Sequence, residues 1–231
     1  MTPAQQIPHG QLRVALFQLR DGDGPRLLLL HALGESSASW RDLAPAWPGP
    51  VLALDFAGHG ASGWRPGGAY NPELFAADVD ATLAVVGPCV LAGSGLGAYV
   101  ALLVAGARPK LVPATLLLPG AGLAGFGAEP GAAPPLDLVE VLRRLDPQPG
   151  GAAVGADPAT RSCEVDVRPP DYASAFGAAA QRLLLHEDDG ERPPWWVALR
   201  DLPGATAVRG DRARAFADLA AVSARSSSPA L

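Results

Sequence analysis

The chain alternates between short apolar runs and longer stretches in which apolar residues return every three to four positions. "LRVALFQL" (12–19) alternates apolar with polar residues and reads as a half-buried strand, whereas "RLLLLH" (26–31) is continuously apolar, the pattern of a strand covered on both faces in a parallel sheet. "SASWRDLAPAW" (37–47) carries its aromatic and leucine at helical spacing, and "PVLALDF" (50–56) returns to strand. "NPELFAADVDATLAVVG" (71–87) opens with Asn71 as N-cap, Pro72 at the first helical position and Glu73 in the first turn. The strand "PCVLAG", the helix "LGAYVALLVAGA" and the strand "ATLLL" continue the alternation. A βαβα order of this kind predicts an α/β fold with a doubly wound, mostly parallel sheet.

From Pro119 to Ala180 the pattern degrades into "GAEPGAAPP" and "DPQPGGAAVGADP", with one helical run, "LDLVEVLRRL", between them. A Gly/Pro-rich stretch of this length reads as a short irregular cap insertion at 119–180, either a small lid or a disordered linker. Order returns with "DYASAFGAAAQ", the strand "RLLLH", a helix near "PPWWVALRDL", the strand "ATAV" and the helix "DRARAFADLAAVSA". The tail "RSSSPAL" (225–231) is expected to fray. No internal repeat is visible, so residues 1–231 read as one domain with the insertion inside it.

With 48% hydrophobic residues among 231, there is ample material for a core. Eighteen Lys and Arg against 23 Asp and Glu give a net charge of −5 with no basic stripe, which argues against nucleic acid and against an anionic membrane surface. Cys89 and Cys163 are too few for a disulfide framework and lack metal-type spacing, which implies a reducing compartment and no bound metal. "MTPAQQIPHGQL" lacks the basic and long apolar regions of a signal peptide, and no apolar run is long enough to span a bilayer. A soluble cytoplasmic protein is expected. Lys110 is the only lysine and Ala, Gly and Pro abound, which has the look of coding bias in a GC-rich bacterial genome.

The candidate chemistry centres on "LAGSGLGAYVALLVAGARP" (91–109). Together with "LLLLHALGESSASW" (27–40) and "LALDFAGHGASG" (52–63), in that order along most of the chain, it resembles the α/β-hydrolase superfamily. In that family the first segment follows strand three and lends a backbone N–H to the oxyanion hole, the second is the D-x-x-G-H-G-x-S loop, and the third is the nucleophile elbow. The elbow is a sharp strand-to-helix turn that needs small residues two positions either side of its centre, hence G-x-S-x-G. Gly93 and Gly97 match those flanks, which leaves Gly95 where the nucleophile should stand. A frame shifted to Ser94 would be flanked by Ala92 and the bulky Leu96. "GSGLGA" also satisfies a dinucleotide fingerprint, but "TLLLPGAG" on the next strand holds no acidic residue for a ribose, so no cofactor is expected.

The resemblance places the triad acid after strand seven, in "LLLHEDDG", with Asp189 as the counterpart and Asp188 the alternative, although an acidic turn is commonly only solvated. The base should follow strand eight, where "AVRGDRARAF" has no histidine. His9 lies in the leader, His31 and His59 match structural histidines of the family motifs, and His186 ends strand seven, where it could be structural or point into the site. What the resemblance leaves intact is the oxyanion hole, assigned to the N–H groups of Leu33 and Leu96. "GSGLGAYV" is also similar, over under ten residues, to the elbow of the N-myc downstream-regulated family, which shares the fold and is regarded as non-catalytic with glycine at the nucleophile position.

Three readings follow. The first is a pseudo-hydrolase with a vestigial triad that binds a small, partly apolar carbonyl or carboxylate compound. The second is an active hydrolase or lyase with a displaced site built from Ser94, His186 and Asp189. The third is a protein-binding module anchored by "PPWW", if Trp195 and Trp196 are exposed rather than packed. Replacing Gly95 with Ala or Ser is expected to destabilise by about 1–2 kcal/mol if it sits at a strained elbow.

Overall fold

A computed structural model describes residues 3–65, 67–123, 156–166 and 168–226. Eight strands form one sheet: β1 (Gln5–His9), β2 (Leu12–Arg20), β3 (Leu27–Leu30), β4 (Val51–Asp55), β5 (Val90–Ser94), β6 (Thr115–Leu118), β7 (Leu183–His186) and β8 (Ala205–Val208), in the order β1-β2-β4-β3-β5-β6-β7-β8. β2 is antiparallel to β1 and to β4, and every other pairing is parallel. Among the described residues five α-helices accompany it: α1 (Pro72–Val86), α2 (Leu96–Ala107), α3 (Pro170–Ala179), α4 (Pro194–Val197) and α5 (Arg212–Ser226).

The apolar run of β3 explains how the layers divide. Leu27 to Leu30 are all fully buried, and successive side chains of a strand point to opposite faces. Leu28 and Leu30 pack in the cluster that holds Phe75, Val79 and the apolar face of α2; Leu27 and Leu29 pack with Trp40, Trp47, Phe216 and Leu219. The sheet therefore lies between α1, α2 and α3 on one side and α5 with the 37–47 segment on the other.

Local chemistry accounts for the departures from the sequence pattern. The 37–47 segment forms two short 3-10 turns, Ser37–Trp40 and Ala44–Ala46, rather than one helix, because Pro45 supplies no N–H to continue one. Its Trp40 and Trp47 are buried all the same, so the spacing reported burial and not helicity. The leader contains an extra strand: β1 hairpins onto β2 through Gly10 at φ 60°, and Pro8 is tolerated because β1 is an edge. His9 there reaches the fully buried Asp78 on α1, with Nδ1 2.6 Å from Oδ1. The helix near "PPWW" is the single turn α4.

Of the 119–180 stretch, residues 124–155, including "LDLVEVLRRL", lie outside the described residues. The described parts are tied to the body. Asp157 donates its N–H to the Gly58 carbonyl (2.7 Å) and accepts the Tyr70 hydroxyl (2.9 Å), and a 3-10 turn runs over Pro158–Cys163. α5 reaches Ser226, and the rest of the expected frayed tail also lies outside the described residues.

Candidate functional site

β5 ends at Ser94 and α2 begins at Leu96, so the chain reverses within Gly95 alone, at φ 54° and ψ −116°. A residue with a Cβ occupies that conformation only under strain. The two flanking glycines are required by contact. A Cβ on Gly93 would overlap the Gly97 carbonyl, and one on Gly97 would overlap the carbonyls of Leu30, the last residue of β3, and of His31 just beyond it. A Cβ on Gly95 would overlap the backbone of Gly120 and Ala121, which fills the space a nucleophile's side chain would enter. Ser94 is the last residue of β5, 3% exposed, and its Oγ donates to the Pro119 carbonyl at 2.9 Å.

The N–H groups of Leu33 and Leu96 converge on a single point. That point is the carbonyl oxygen of Ala121, 3.1 Å from Leu33 N and 2.9 Å from Leu96 N. Two histidines brace the Leu33 loop. His31 donates from Nδ1 to the Ala32 carbonyl (2.8 Å) and accepts the Phe56 N–H at Nε2 (3.1 Å). His59 accepts the Gly34 N–H at Nε2 (3.3 Å) and donates to the Ala57 carbonyl. Burial lowers the His31 pKa to about 4, and burial with the neighbouring His31 lowers that of His59 to about 3, so both rings are neutral braces.

Beyond β7 the acidic run divides. Glu187 is 8% exposed and accepts from Nε and Nη2 of Arg200, each at 2.8 Å, and from the Trp196 indole Nε1 at 3.1 Å. Burial alone would raise its carboxyl, but Arg200 and Trp196 hold it below the usual carboxylate range. Asp188 pairs with Arg192 (2.7 Å) and accepts the Gly190 N–H, while Asp189 is exposed. His186 is 6% exposed; its Nε2 donates to the Gly210 carbonyl (2.9 Å), and Nδ1 has no hydrogen-bond partner among the described residues. After β8 come Arg209, Gly210 and Asp211, and Asp211 caps α5 by accepting the Arg214 N–H. No described hydrogen bond joins Ser94, His186 and Asp189 to one another.

Arg192 was not singled out by the sequence. Its side chain is 4% exposed, its guanidinium lies 5.4 Å from the Trp196 ring centre, and its Nε, 3.9 Å from Glu187, makes no hydrogen bond among the described residues. With Gly95, Leu118, Trp195 and Trp196 it lines a cavity of about 10 Å³, room for about one water. Larger hollows lie away from the turn, about 540 Å³ along β8 and α5 and about 260 Å³ between α1, α2 and α3. Trp195 and Trp196 are 2% and 1% exposed, so they pack the site's wall and offer no surface anchor. Among the described residues no His/Cys/Asp/Glu group could hold a metal, and no helix is long and apolar enough to cross a membrane.

A mostly parallel sheet, a glycine-flanked turn after β5 and two N–H groups aimed at one oxygen define the α/β-hydrolase fold. The chain belongs to the alpha/beta hydrolase family, whose model matches residues 27–229. Esterase Rv0045c of Mycobacterium tuberculosis is 32% identical over 99 residues, 42% of this chain and 33% of that protein. Lipase LipV of the same organism is 37% identical over 102 residues, 41% of this chain and 37% of that one. The chain thus spans roughly a third of the length of these curated relatives. Among solved structures, hypothetical protein PA1622 from Pseudomonas aeruginosa PAO1 aligns with TM-score 0.65 at 24% identity over 96% of this chain and 98% of that one. The thioesterase domain from the curacin biosynthetic pathway aligns with TM-score 0.66 at 18% identity over 96% of each chain. At these identities the structural likeness is one of fold.

Proposed function

We propose that this chain is a non-hydrolytic member of its family, which uses the β5–α2 turn and the Leu33 and Leu96 N–H groups to bind a small, partly apolar compound through a carbonyl or carboxylate oxygen. The observation that carries this reading is Gly95: it has the turn's backbone geometry, no side chain, and no room for one. A serine hydrolase needs a hydroxyl at that point and an imidazole to take its proton. Arg209, Gly210 and Asp211 stand where the base would follow β8. The backbone donors survive such losses because they do not depend on side-chain identity. Arg192 and the two tryptophans that line the cavity beside Gly95 favour an acid with an apolar body. The esterase and lipase names belong to the relatives, and they agree with descent from an acyl-handling site.

An enzyme working through Ser94, His186 and Asp189 is the competing reading, and the separate hydrogen-bond partners of Ser94 and His186, with Asp189 exposed, count against it. The test is turnover of p-nitrophenyl esters together with labelling by a fluorophosphonate. Hydrolysis no faster than with serum albumin, and no specific label, are expected. Labelling that Ser94→Ala abolishes would overturn the proposal.

A further inference from the structure

The two donors of the oxyanion hole are already satisfied from within the protein. Buried backbone N–H groups without partners are costly, and here one carbonyl oxygen, that of Ala121, serves both. A peptide carbonyl presents the same kind of acceptor that a ligand's carbonyl or carboxylate would.

The segment that delivers it, Pro119–Leu123, is fixed at both ends. Ser94 Oγ donates to the Pro119 carbonyl (2.9 Å), the Leu123 N–H donates to the Cys163 carbonyl (2.7 Å), and Trp195 Nε1 donates to the Leu123 carbonyl (3.3 Å). The Leu123 side chain is fully buried, yet its backbone stands at φ 53°, the one left-handed non-glycine conformation among the described residues. Such strain persists only where surrounding contacts enforce it. At Gly122, φ 104°, an added Cβ would come within 2.9 Å of Leu96 Cβ and 3.0 Å of Leu33 Cβ, so the segment lies directly against both donor residues. While it does, the cavity beside Gly95 has only about 10 Å³.

From this geometry we infer that Pro119–Leu123 is an internal plug: the Ala121 carbonyl occupies the oxyanion hole at rest, and a ligand's oxygen takes its place on Leu33 and Leu96 when the segment withdraws. The inference rests on the reading of this hole as the ligand site. It makes the affinity for any such ligand smaller than the intrinsic one by the fraction of molecules that are open. Opening exchanges acceptors on the two N–H groups and releases the Leu123 strain, at the expense of the Ser94, Cys163 and Trp195 hydrogen bonds.

Two variants of the full chain loosen the plug in different ways. Gly122→Ala wedges it from Leu33 and Leu96, and Trp195→Phe removes one anchoring donor while keeping an aromatic ring. Octanoate is titrated calorimetrically into parent and variants, and amide hydrogen exchange is followed at Leu33 and Leu96. Both amides are expected to exchange at least about tenfold faster in the variants, and octanoate to bind at least about tenfold more tightly. Equal affinity in all three proteins, binding by none, or unchanged exchange at the two amides would each overturn the plug. If Gly122→Ala does not fold, Trp195→Phe decides. Ester turnover would instead bring down the non-hydrolytic reading and leave the exchange result standing, so the two failures are distinguishable.

Discussion

Adding one carbon at position 95 probes the turn from two directions. The left-handed torsions of Gly95 impose a strain of about 1–3 kcal/mol on a residue with a Cβ, and overlap with Gly120 and Ala121 adds an overpacking cost of about 1–3 kcal/mol. The entropic gain from replacing glycine, about 0.4–1 kcal/mol, acts the other way. Gly95→Ala and Gly95→Ser are therefore each expected to lose about 2–4 kcal/mol in urea denaturation, more than the turn's torsions alone suggest. Ser94→Ala, which removes one hydrogen bond to Pro119, should lose about 1 kcal/mol. A Gly95→Ala variant as stable as the parent would remove Gly95 from a strained turn. Gly95→Ser should also hydrolyse p-nitrophenyl esters no better than the parent, because a serine without a base is a weak nucleophile. The turn was legible in the spacing of Gly93, Gly95 and Gly97, since only close approach and a left-handed centre demand that pattern. Ala121 and Arg192 were not: their places depend on where β6 and the chain after β7 arrive, and neither "PGAGL" nor "ERPP" carries a local signature of that.

Elements whose boundaries rest on local chemistry are legible in the sequence. α1 begins where Asn71 accepts the Leu74 N–H at 2.8 Å and Pro72 takes the first helical position. Asn71→Ala should cost about 1 kcal/mol, read as a lower urea midpoint with an unchanged slope; no change would show that the cap is not holding the helix end. Elements set by tertiary contact are not legible in the local pattern. The 37–47 segment shares its apolar spacing with a helix, but Pro45 and the hydrogen bond from the Ser37 N–H to Asp55 fold it into tight turns. β1 is short, holds a proline, and exists because β2 offers an edge, which no pattern inside "QQIPH" announces.

For the molecule as a whole, acid is the expected weak point. His31 and His59 are neutral when folded, with pKa values of about 4 and about 3, whereas an unfolded histidine titrates near about 6.5. Below about pH 6.5 the unfolded chain takes up protons that the folded one refuses, so stability is full above that pH and falls as it drops towards about 4, by up to about 1.4 kcal/mol per histidine per unit. Asp78, whose carboxyl burial raises, binds its proton more readily when folded and offsets part of that loss. Thermal melts between pH 7 and 4 should show a steep fall in Tm that His59→Gln flattens; a parent Tm that is level across this range would contradict the neutral, buried assignment.

The crowding at Gly95 also gives the sequence a direction of change. Because the backbone of Gly120 and Ala121 stands in the volume of a side chain at 95, a serine there would lower stability at once and, on the proposed non-hydrolytic reading, would bring no activity until a base appears after β8 and the 119–123 backbone moves aside. A typical domain is stable by only about 5–15 kcal/mol, so three uncoordinated steps, the first of them harmful, form a valley that single mutations do not readily cross. On the proposed non-hydrolytic reading, the glycine at this turn works as a ratchet: drift would alter a bound ligand far more easily than it would build a hydrolase.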